Sequence, residues 1–119
     1  MRTIGNHVET ALLRVVAAVA GVSNVDRQKP IMTIEEIRSS DWASATFVGS
    51  IHEFDLRFEG TTGAVNTAMD ALASGLAKRE IALSGQIVAE IGMLPGDKKV
   101  IGEDMISKTL TVNALVIRD

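Results

Sequence analysis

Between Phe47 and Glu59 the chain carries its clearest structural signal. His52, Phe54, Leu56 and Phe58 alternate with Glu53, Asp55, Arg57 and Glu59, a period of two that only an extended strand turns into two separate faces. One face is apolar and one is charged. Such a strand fits an antiparallel sheet that is covered on one side and open on the other. The cover must come from elsewhere in the 119 residues.

Two amphipathic segments can supply it. In the first, Val8, Leu12, Val15, Val16 and Val19 recur at helical spacing, with Glu9, Thr10 and Arg14 off that stripe and Gly21 as the stop. Asn6 and Glu9 are spaced as a capping box. In the second, Gly60-Thr61-Thr62-Gly63 ends the long strand and caps a helix over Ala64 to Leu76. Its stripe is Val65, Met69, Leu72 and Leu76. Ala68 and Ala73 allow close approach, and Lys78 and Arg79 lie near the helix end, where cations suit the dipole.

The remaining strands follow from the same patterning. Pro30 opens a strand from Ile31 to Ile37, and Arg38-Ser39-Ser40-Asp41 reads as a loop holding Trp42. Ile81 to Leu94 is a β pattern, bent at Gly85 or Gly92. Pro95-Gly96-Asp97 reads as a turn and the run to Asp104 as a mobile hairpin loop. Met105 to Arg118 is the last strand, with Ile106, Leu110, Val112, Ala114 and Val116 on one face. Leu115 and Ile117 make its end apolar on both faces, which implies a central strand or a subunit contact. The expected architecture is α+β, two helices packed on a mainly antiparallel sheet in the order α-β-β-α-β-β. It forms one domain over residues 1–119, with no repeat or linker.

Composition narrows the functions. The net charge of −3, with scattered Lys and Arg, argues against nucleic acid as the main partner. With no cysteine, there is no disulfide, thiol nucleophile or Cys-ligated zinc. The start lacks a signal-peptide core, and Val15 to Val22 is too short to span a bilayer, so folding in the cytoplasm is expected. Of the two histidines, His7 sits at a helix terminus. His52 points away from Glu53 and Asp55, so a site built on it needs partners from other elements. Glu35-Glu36 and Glu103-Asp104 lack the spacing of a calcium loop. The glycine clusters match neither a P-loop nor a dinucleotide fingerprint, and Gly60 to Gly63 is read as a turn in preference to an anion site. Trp42, the single tryptophan, either anchors an interface or folds back on its own core.

Several of these pieces together resemble a known family. They are the Pro30-led strand, Arg38-Ser39-Ser40-Asp41-Trp42, Gly49-Ser50-Ile51-His52-Glu53-Phe54-Asp55-Leu56, the alanine-rich helix, Ile81-Ala82-Leu83-Ser84-Gly85-Gln86-Ile87-Val88, and the alternating last strand. From Pro30 to Arg118 the chain is similar to the tail completion, or tail terminator, proteins of long-tailed phages, and most to the branch found in gene transfer agents. It departs from them in the short connector before Pro30, which lacks an expected strand-like segment.

The resemblance implies a virion structural protein, assembled in the bacterial cytoplasm. It would form a ring, usually hexameric, on the head-proximal end of the tail tube. Its partners would be further copies of itself, the tail tube protein and the head–tail connector, with no cofactor, membrane or catalysis. Expected contact residues are Trp42, Phe47, Glu53, Asp55, Arg57, Glu59, Asp97, Lys98, Lys99, Leu115 and Ile117. Two other readings stand beside it: a cytoplasmic dimeric interaction module of the same patterning, and a small-ligand protein or enzyme built on His52.

Overall fold

The structure, a computed structural model, describes residues 7–23, 25–26, 28–79, 81, 83 and 85–118. In chain order its elements are α1 (His7–Ala20), β1 (Ile31–Ala43), β2 (Val48–Thr61), α2 (Thr62–Gly75), β3 (Gln86–Gly102) and β4 (Met105–Arg118). The four strands form one sheet in the order β1-β2-β4-β3, with every neighbouring pair antiparallel. The expected α-β-β-α-β-β order and α+β class are what the chain adopts.

Both helices cover one face of the sheet. Phe54, Leu56 and Phe58 of β2 and Val112 and Val116 of β4 are fully enclosed there by Leu12 and Val16 of α1 and Val65 and Leu72 of α2. Each central strand thus puts every second residue into a dry core, where a buried aliphatic or phenyl side chain contributes roughly 1.5–3 kcal/mol. Gly21 closes α1 in the left-handed conformation (φ 70°) while its N–H donates to the Ala17 carbonyl. Thr61 caps α2, its hydroxyl accepting from the Ala64 N–H at 3.1 Å. That cap serves a helix N–H that has no intrahelical acceptor, so the Gly60–Gly63 stretch is a strand exit and helix start, as read.

The sheet is longer than its cover. Fourteen paired residues span roughly 46 Å, and the molecule extends 52 Å along its longest axis. Its radius of gyration is 15.0 Å, against about 13.5 Å for a compact chain of this length. Among the described residues no helix is long and apolar enough to cross a membrane.

Four expectations fail. Arg38 to Asp41 is no loop, and Trp42 does not sit in one. β1 continues through them to Ala43, paired residue by residue with β2 as far as Val48. The true turn is Ser44–Phe47, where the Ser44 hydroxyl accepts from the Phe47 N–H. Polar residues on an open-faced edge strand need no burial, so their polarity imitated a loop.

Pro95-Gly96-Asp97 is likewise no turn, and the stretch to Asp104 is no loop. β3 starts only at Gln86 and runs to Gly102, absorbing Pro95 in a register irregularity before Lys98. Proline and glycine in a strand mark a bulge on an edge as readily as a turn, and β3 is an edge. Gly96 is required there, because a Cβ would stand 2.3 Å from Thr109 Oγ1. Part of the expected strand, 81–85, precedes β3, and residues 82 and 84 lie outside the described residues.

Glu9, off the expected apolar stripe of α1, is fully buried. Ala73, expected at a close approach, is exposed; Gly75 takes that role, 3.5 Å separating Val19 Cγ1 from where its Cβ would stand. The Asn6 half of the capping box lies outside the described residues.

Candidate interaction surface

Cross-strand partners share a face, so the registers lay out the uncovered side of the sheet as rows. At one end Trp42, Gly49, Ile117 and Ile87 stand side by side across all four strands, followed by Ser40, Ile51, Leu115 and Glu90. Ile51, Leu115, Ile117 and Trp42 are half-buried without helix cover, while Ile87 is 55% exposed. Phe47 and Val48, at the neighbouring hairpin, are also about half exposed. Gly49 permits the row, since a Cβ there would come within 2.0 Å of the Val116 carbonyl oxygen.

Beyond this apolar end lies a band of ion pairs. Arg38 on β1 grips Asp55 on β2 through two hydrogen bonds, Nη1 to Oδ2 at 2.6 Å and Nη2 to Oδ1 at 3.0 Å. Thr111 of β4 donates to the same carboxylate at 2.8 Å. Arg38 also reaches Glu36 at 2.8 Å and Glu53 at 3.6 Å. The two-pronged Arg38 grip, with Thr111 second, holds the Asp55 carboxyl down at about 2. The Asp55 hydrogen bond in turn pushes the Arg38 guanidinium up from its ordinary value. Arg57 sits between Glu35 at 3.4 Å and Glu59 at 3.5 Å. Five carboxylates thus share two guanidinium groups, and the band is acidic.

The expected contact residues fall into three places. Trp42, Leu115 and Ile117 join the apolar end, with Phe47 at the adjacent hairpin tip. Glu53, Asp55, Arg57 and Glu59 line up in the charged band, where intrachain partners already engage them. Asp97, Lys98 and Lys99 stand apart on the outer half of β3, where Leu94 and Val100 are also exposed. Sequence reasoning missed Arg38 and Glu36, which organise the band, and Ile51 and Ile87, which complete the apolar rows. Extending the strand past Ile37 would have added Arg38 two residues beyond Glu36, but their place on the open face follows from the bulge between Ile34 and Glu36, which no strict period of two shows.

His52 does gain partners from another element. Its Nδ1 lies 3.3 Å from Glu9 Oε2 of α1, and its Nε2 lies 2.7 Å from Ser50 Oγ on its own strand. The tautomer decides which atom of each pair donates. The order carboxylate, imidazole, hydroxyl is that of a nucleophilic triad. Here, however, the imidazole is 3% exposed and the carboxylate is fully enclosed beneath α1. The adjoining cleft is lined by His7, Ser39, Ser40, Asp41 and Arg118 among others. It is polar, not the deep apolar pocket a small-ligand site built on His52 would need. The pair fastens α1 to β2 in a place where an isolated charge would be costly. Among the described residues no three His, Asp or Glu side chains converge to hold a metal ion.

No family model matches the chain, and no curated protein matches it. A solved structure does: a chain of the "Virion of native gene transfer agent (GTA) particle" superposes with a TM-score of 0.62. At 18% identity it covers 91% of this chain and 92% of its own. The two chains share a fold over nearly their whole lengths.

Proposed function

We propose that this chain is a structural subunit of a phage-like particle, of the tail terminator type. It would cap the head-proximal end of the tail tube as a ring, stop tube growth and present the surface on which the head connector docks. The observation that carries this reading is the near end-to-end fold match with a chain of a gene transfer agent virion. It agrees with the resemblance of the Pro30 to Arg118 motifs. The layout suits the role: an uncovered sheet face with an apolar end and an acidic band, and a long exposed edge, are assembly features. Trp42, Phe47, Leu115 and Ile117 are the anchors proposed for a contact with tube or connector, since aromatic and aliphatic side chains dominate interface energetics.

Electron microscopy of particles from a strain lacking the gene tests the reading. Headless tails of irregular, excessive length beside unjoined heads are the expected result. Normal joined particles would end it.

A further inference from the structure

Two edges of the sheet remain without a partner strand, and they differ in kind. β1 is backed by the core on its helix side, through Met32, Ile34 and Ile37. The outer half of β3 is bare on both faces: every residue from Leu94 to Gly102 is exposed, with Leu94 at 63%, Val100 at 71% and Ile101 at 44%. A long exposed edge with apolar side chains is a template for pairing with another chain.

We propose that the outer half of β3 pairs with β1 of a second copy of this chain, head to tail. The proposal rests on the reading of the chain as a self-assembling subunit. Three observations select this occupant and this geometry. The first is strand direction. Every neighbour in the sheet is antiparallel, so four strands alternate up, down, up, down from β1 to β3. A second copy laid alongside in the same orientation therefore brings its β1 antiparallel to β3, continuing the alternation.

The second observation is charge. Asp97 and Lys99 stand on the open face of β3, since Lys99 pairs with Ser107 and Asp97 is hydrogen-bonded to Thr109. Arg38 and Glu36 stand on the open face of β1, in the rows of Glu53 and Asp55. Read antiparallel, Asp97 falls opposite Arg38 when Lys99 falls opposite Glu36. Lys98 and Lys99 have no ion pair among the described residues, while the β1 side holds the surplus of carboxylates. A two-fold pairing of β3 with β3 brings two net-positive segments together, Lys98 against Lys98 when it is centred there, and one of β1 with β1 brings two acidic bands together.

The third observation is offset. Within one chain Lys99 stands in the row of Ile31 and Leu94 in that of Glu36. The charge match thus needs a slide of about five residues, roughly 16 Å. A stagger of this kind is what closing a sheet on itself requires, and two different edges make a heterologous contact, which gives a ring when its rotation closes. Pro95 and the bulges beside it keep the ladder short, so the charges set the register.

The chain has no cysteine, which makes the test direct. Glu36→Cys and Lys99→Cys are placed in one chain, and assembled particles and concentrated protein are treated with a short thiol cross-linker. The expected result is a ladder of dimers, trimers and larger species on a denaturing gel, with neither single variant cross-linking. Lys99→Glu should abolish the assembled form, and adding Glu36→Lys should restore it. Dimers from Lys99→Cys alone would overturn the proposal in favour of a two-fold contact. A double variant that stays monomeric inside normal particles would overturn it outright. A ladder together with normal tails in the deletion strain would keep the pairing and remove the terminator role. Overlong tails without a ladder would do the reverse.

Discussion

β3 and β4 are the two strands of one hairpin, hydrogen-bonded to each other over most of their lengths, yet they live in different environments. β4 puts Ile106, Leu110, Val112, Ala114 and Val116 into the core at 3% exposure or less. β3 enters the core only through half-buried Val88, Ile91 and Met93, and from Leu94 onward everything is exposed. Backbone pairing therefore does not decide burial. A second paired strand and a helix overhead do, and β4 has both, since β2 flanks it and α2 lies above. β3 has β4 on one side and, past Leu94, nothing above. One strand holds the fold together. The other, from Leu94 onward, leaves its edge and both faces open.

The sharpest way to break this contrast is to truncate one leucine in each strand. Leu110→Ala, at 2% exposure, should cost about 2–5 kcal/mol, read from the urea midpoint at constant slope. Leu94→Ala should stay within about 0.5 kcal/mol and instead weaken assembly. Equal losses in fold stability would mean that the outer half of β3 is covered in the free subunit.

Next in size is the buried pair. His52→Ala withdraws the imidazole from enclosed Glu9 and should cost about 3 kcal/mol by thermal unfolding. Ser50→Ala should cost no more than about 1 kcal/mol, because the serine is only half-buried. If Ser50→Ala proved as damaging as His52→Ala, the relay would have a role beyond fastening α1.

Smaller again is the bulge. Gly96→Ala would press a Cβ onto Thr109 Oγ1 and should lower stability by about 1–2 kcal/mol. Gly63→Ala, which meets nothing within 4 Å, should not. A Gly96→Ala/Thr109→Ser double variant should keep the loss, since the hydroxyl remains, and Gly96→Ala/Thr109→Ala should recover part of it.

The smallest effect belongs to the charged band. Asp55 has a folded value near 2 against 3.8 for the free group. A depressed carboxyl contributes stability that is whole above its unfolded value and is lost as pH falls through the folded one. Stability should thus decline between about pH 4 and pH 2 in the wild type, and Asp55→Asn should flatten that limb. An unchanged acid limb in Asp55→Asn would show that other carboxylates carry it.

How much of this was legible beforehand depended on whether local pattern and burial coincide. In β2 they do: His52, Phe54, Leu56 and Phe58 face the helices as their period demands. α2 was legible too, because Thr61 provides a local cap and Val65, Leu72 and Leu76 a local stripe. The interaction surface was half legible. Alternation placed Glu53, Asp55, Arg57 and Glu59 together, but their partners Arg38, Glu36 and Thr111 come from strands whose registers no local window contains.

The sequence by itself determined the element order, the two-faced strands and the absence of cysteine chemistry, because these depend on composition and on periods a few residues long. Tertiary structure alone decided that Glu9 is buried, that Pro95 is carried inside a strand, and that β3, not β4, is the exposed edge. Each of these rests on what lies beside a residue in space. A carboxylate is tolerated in a core where an imidazole meets it, a proline in a strand where no further strand needs its N–H, and an edge stays exposed where the helices stop short of the sheet's end.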